Sequence, residues 1–78
     1  MTYKIDVSPP DHPHLSEEEY TAFDVEQAAQ VFQTQAEPGE DWPLPKIVED
    51  LATEERIEFL KPCGRTVVAR LVTVGATA

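Results

Sequence analysis

Thr53-Glu54-Glu55-Arg56-Ile57-Glu58-Phe59-Leu60-Lys61-Pro62-Cys63-Gly64-Arg65 decides the fold, because it reads in two ways. Thr53 could cap a helix that runs to Lys61. Alternatively, Arg56-Ile57-Glu58-Phe59 alternates polar and apolar with the period of a half-buried strand, and Lys61 to Arg65 makes a tight connection. The following run, Thr66-Val67-Val68-Ala69-Arg70-Leu71-Val72-Thr73-Val74, is rich in β-branched residues and needs an antiparallel neighbour. That requirement favours a hairpin over about 56–74.

Upstream, Tyr3, Ile5 and Val7 alternate with Thr2, Lys4 and Asp6, which predicts a strand over 2–7. Ser8-Pro9-Pro10 ends it, because proline lacks the N–H that a ladder needs. Leu15-Ser16-Glu17-Glu18-Glu19-Tyr20 then has the form of a helix start, with Ser16 and Glu19 as a capping box and Leu15 with Tyr20 as a staple. A second start follows: Asp24 as cap, Gln27 as its box partner, Phe23 with Ala28 as staple. Val25, Ala28, Ala29 and Phe32 form one apolar stripe, and Pro38-Gly39 ends the run. A helical region over about 17–36 is expected. Pro45 suits a first helical turn, and Ile47, Val48, Leu51 and Ala52 predict a helix over about 45–52.

The expected architecture is α+β: a small three-stranded antiparallel sheet with one or two helices packed on one face. The 78 residues make one domain, 1–78, with proline- and acid-rich loops at 8–14 and 37–44 and a frayed tail at 75–78. A core this small leaves a stability margin of a few kcal/mol. One cysteine excludes an internal disulfide, so compact packing, a homo-oligomer or a tight partner must supply the rest. The N-terminus shows no apolar leader, and no run approaches the ~20 residues of a membrane span. A soluble protein of a reducing, cytoplasmic compartment is expected, with Cys63 reduced.

The formal net charge is −9, and its distribution is uneven. Residues 5–45 hold ten acids, Asp6, Asp11, Glu17, Glu18, Glu19, Asp24, Glu26, Glu37, Glu40 and Asp41, without a lysine or arginine. Residues 46–78 balance five acids against five bases. Such a surface argues against direct binding of nucleic acid or an anionic membrane, and for a basic partner.

No motif points to an enzyme. Asp11-His12-Pro13-His14 has metal-ligand types, but alternate residues of an extended loop point apart and no second cluster completes a site. Neither a metal nor a cofactor is expected. Cys63 lies near Lys61 and Arg65 but has no evident base; it reads first as a plain turn residue, second as the site of an intermolecular disulfide between two copies, and only third as a catalytic thiol. The adjacent carboxylates of Glu17–Glu19 and Glu54–Glu55 fit solvated faces better than an acid–base pair, which needs one raised pKa in an apolar cleft.

Carboxylates spaced about 5–6 Å apart along a helix can occupy lysine and arginine sites built for phosphates. The expected function is therefore a small, non-enzymatic binding protein that blocks a basic, nucleic-acid-binding surface of a larger complex. By analogy of type, a phage-encoded anti-CRISPR or similar anti-host inhibitor fits. The candidate contact residues are Glu17, Glu18, Asp24, Glu37, Glu40, Asp41 and Trp42. Trp42, between acids and prolines, reads either as an interface anchor or as the lid of the core. The alternative function is an interaction module or accessory subunit that associates, for instance as a homodimer, through the edge of the strand in 66–74.

Overall fold

The computed structural model describes residues 2–12 and 15–72. The chain forms a four-stranded antiparallel sheet with two helices packed on it. Strand β1 (Tyr3–Ser8) pairs with β2 (Glu18–Ala22), and α1 (Val25–Ala36) follows. A single 3-10 turn, Gly39–Asp41, leads into α2 (Leu44–Glu54). The chain then returns as β3 (Arg56–Leu60) and β4 (Thr66–Leu71). The order across the sheet is β2-β1-β4-β3, so the first and last strands in sequence form its central pair.

The hairpin reading of the opening stretch is correct, and the sheet gains a strand that local signals missed. Residues 18–22 were expected to be helical and are extended. Each member of the supposed capping box spends its side chain elsewhere. The Ser16 hydroxyl donates to Asp6 Oδ1 at 3.1 Å and to the Glu18 carbonyl at 3.3 Å, and Lys4 Nζ donates to Glu19 at 3.2 Å. The physical reason lies in β1. Its inner residues Tyr3, Ile5 and Val7 are buried, and β4 covers only one of its edges. Tyr20 and Ala22 turn inward at the alternate positions that the other edge requires, with Ile5 opposite Tyr20 and Tyr3 opposite Ala22. Tertiary pairing overrides local propensity.

The second start signal is the true one. Asp24 accepts the Gln27 amide at 2.7 Å, and Gln27 Oε1 reaches back to the Phe23 amide at 3.0 Å. The predicted staple does not form, because Phe23 is 68% exposed. Helix α1 buries Ala28, Ala29, Phe32 and Ala36; its alanines allow close approach across β4, β1 and β2. Helix α2 contributes Ile47 and Leu51 and lies against α1 and β3. Phe32, Ile5, Ile47, Leu51 and Val67 are the largest fully buried side chains. The predicted fray at 75–78, and the last residues of the predicted hairpin, lie outside the described residues.

Both helices close on a glutamate in the left-handed region: Glu37 at φ 50° and Glu55 at φ 65°. Glycine is the usual choice there, since a Cβ in that conformation costs roughly 1–2 kcal/mol. The β3–β4 turn does use glycine. Gly64 has φ +99°, and a Cβ added to it would stand 3.0 Å from Pro10 Cβ. That turn is thereby fastened to the β1–β2 loop, and the Arg65–Glu17 ion pair joins the same two loops.

Candidate interaction surface

Folding reorganises the charge that the sequence segregates. All six bases lie within ion-pair distance of an acid. On the sheet face away from the helices, Lys4, Arg70 and Arg56 form one cross-strand row, and Glu19, Asp6 and Glu58 occupy the next. Pairs bridge these rows: Lys4–Glu19 at 3.2 Å, Arg70–Asp6 at 3.5 Å and Arg56–Glu58 at 3.6 Å. Arg65 takes Glu17, Lys61 takes Glu37 at 3.5 Å, and Lys46 takes Asp50 at 2.9 Å.

The acids left without a lysine or arginine are Asp11, Glu18, Asp24, Glu26, Glu40, Asp41, Glu49, Glu54 and Glu55. These nine account for the formal charge of −9. All but Asp11 and Glu18 lie on the helices, their ends or the turn that joins them. The helical layer is therefore the acidic surface, and the open sheet face is a lattice of mutually neutralised pairs.

The candidate contact residues divide accordingly. Glu17 and Glu37 are engaged by bases from the C-terminal half. Glu18 accepts the Tyr20 hydroxyl at 2.6 Å, which holds the phenol above its ordinary pKa, with slight desolvation and the carboxylate's charge acting in the same direction. Asp24 caps α1. Glu40 and Asp41 stand exposed on the 3-10 turn. Trp42 is half-buried against the core, edge-on to Phe32 at 5.2 Å between centroids and tilted to Phe59 at 6.3 Å. Glu26, Glu49, Glu54 and Glu55 also belong to this surface and are not among the contact residues expected from the sequence. For Glu26, Glu54 and Glu55 the signal was available only as an absence: no base stands at helical spacing to Glu26, and none lies in the last turn of α2; Glu49 has Lys46 at helical spacing, but Lys46 pairs with Asp50 instead.

A cleft of about 470 Å³ opens in this layer. Glu26 and Gln30 of α1 form one wall, and Leu44, Pro45 and Val48 of α2 form the other.

Strand β4 was the expected edge for association, and it is not an edge. β1 and β3 pair with its two sides, so the described part of 66–74 has no open ladder to offer. The edge strands are β2 and β3. Cys63 is exposed in the β3–β4 turn with a free thiol. Among the described residues, no three His, Cys, Asp or Glu side chains gather where a metal could sit. His14 of the Asp11–His14 loop lies outside the described residues. Among the described residues no helix is long and apolar enough to cross a membrane.

No family model, no curated protein and no solved structure matches the chain.

Proposed function

We propose that the chain is a non-enzymatic binding protein whose acidic helical layer docks on, and blocks, a basic nucleic-acid-binding surface of a larger complex, as a nucleic-acid mimic of the anti-CRISPR or similar anti-host type would. The observation that carries this reading is the complete internal pairing of the six bases, which leaves the surplus acid concentrated on one layer. An acidic surface also serves solubility, but the placement of these acids supports more than that. Glu54 and Glu55 stand at the negative pole of α2, where an acid typically costs 0.3–1 kcal/mol and a lysine would help. Glu55 also occupies a left-handed position that favours glycine. A surface tuned for stability would not keep acids there.

The test is capture from host lysate at low and high salt, followed by a displacement assay on the captured protein. The expected result is a nucleic-acid-binding protein, retained at low salt and released at high salt, that loses its nucleic acid when the chain binds. A captured protein that holds nucleic acid and chain together would refute the reading.

A further inference from the structure

We infer that the cleft between α1 and α2 seats an arginine of the partner together with an aliphatic residue beside it. This rests on the acidic-docking reading and adds to it a specific contact. Long-range attraction alone needs no cavity, yet the acidic layer contains one, with two unlike walls. Leu44 and Val48 stand one helical turn apart, and Pro45 lies exposed beside them; together they make an apolar wall. Glu26 and Gln30 stand one turn apart on α1 and are exposed. They offer a carboxylate and an amide oxygen as acceptors.

The start of α2 does little to favour an anion here. Pro45 has no N–H, and the Lys46 and Ile47 amides both donate to the Pro43 carbonyl, at 2.9 and 3.0 Å. The carboxylate of Glu26, which no base neutralises, therefore sets the sign of the site. An arginine matches both walls. Its methylene stem lies along apolar surface, and its planar fork suits two adjacent oxygen acceptors. Lysine satisfies the charge without the fork. The cleft's volume of about 470 Å³ leaves room for a neighbouring aliphatic side chain on Leu44 and Val48, so an arginine–leucine pair on a basic surface is the chemistry that fits.

Two synthetic helical peptides of equal charge provide the probe, one with arginine and leucine on the same face and one with serine for each leucine. Binding is measured by calorimetry at low salt to the wild-type chain and to two variants of equal charge change. Gln30→Arg places an arginine one turn from Glu26, where it fills the cleft from within. Thr53→Arg puts the same charge at the far end of α2. The leucine peptide should bind at least about tenfold more tightly than the serine peptide. Gln30→Arg should remove most of that difference, and Thr53→Arg should change affinity less than about threefold. Equal binding of the two peptides, or equal weakening by the two variants, would overturn the cleft site while leaving acidic docking intact. Failure of both peptides to bind the wild-type chain would overturn the acidic-docking reading itself, and this inference with it.

Discussion

Trp42 donates its indole N–H to Asp50 Oδ2 at 2.9 Å, spanning the turn from the 3-10 segment to the middle of α2. The other oxygen of the same carboxylate receives Lys46 Nζ at 2.9 Å. One carboxylate thus holds both a core-covering ring and the only base of α2. The ring is in turn packed on Phe32 and Phe59, so the turn that carries Glu40 and Asp41 is anchored to the core from beneath.

This arrangement makes stability pH-dependent at both ends. The Lys46 hydrogen bond lowers the Asp50 pKa; burial opposes it, and the Trp42 hydrogen bond and the charge of Lys46 add smaller lowering effects. A carboxyl depressed in the folded state adds stability that is complete above its unfolded value, about 3.9, and is lost as pH falls through the lower folded value. Lys46 is raised, first by its hydrogen bond to Asp50. Its contribution is complete below the ordinary lysine value, about 10.4, and is lost as pH rises through the folded one. Asp50→Asn should therefore lower stability at neutral pH and flatten the pH–stability curve on both flanks. Urea melts followed by Trp42 fluorescence across the pH range would show it.

The Tyr20 phenol should titrate above tyrosine's usual range because the Glu18 carboxylate accepts its proton in a hydrogen bond. Glu18→Gln should bring that titration down. A near-UV absorbance titration of both proteins, with Tyr20→Phe to assign the signal, is the check.

Gly64→Ala should destabilise by about 1–3 kcal/mol, since it combines a positive φ with a close approach to Pro10. A fall in the denaturation midpoint without change in slope would show that the hairpin is weakened inside an otherwise intact fold.

Glu55→Gly should stabilise by about 0.5–1 kcal/mol, because it relieves the left-handed conformation and removes an acid from the end of α2. Glu55→Gln keeps the conformation and should gain only a few tenths of a kcal/mol. Chemical denaturation of the pair separates strain from charge.

Several elements were legible from sequence for identifiable reasons. β1 and β3 alternate polar and apolar residues, β4 is rich in β-branched residues, and the Lys61–Arg65 connection carries its own turn glycine. The Asp24–Gln27 cap was legible because it needs only local atoms. β2 was hidden because Ser16 and Glu19 match a helix cap letter for letter, whereas their real partners, Asp6 and Lys4, lie ten or more residues away. The acidic surface was half legible. The base-free run of residues 5–45 suggested that Glu17 and Glu37 face a partner, but Arg65 and Lys61 return from the other half of the chain to meet them. A linear charge map shows the surplus and not its location, since cross-strand register decides which acids are neutralised.

The central claim is that binding resides in the unneutralised acids of the helical layer. Two double reversals with the same charge change test it: Glu40→Lys with Asp41→Lys on the helical layer, and Glu19→Lys with Glu58→Lys on the open sheet face. Both sites are exposed, and thermal melts would confirm folding. Affinity for the captured nucleic-acid-binding partner should be measured for each across a salt series. The account predicts a loss of at least about tenfold and a shallower salt dependence for the helical-layer pair, with little change for the sheet-face pair. Equal losses from the two pairs, or an affinity indifferent to salt, would contradict it.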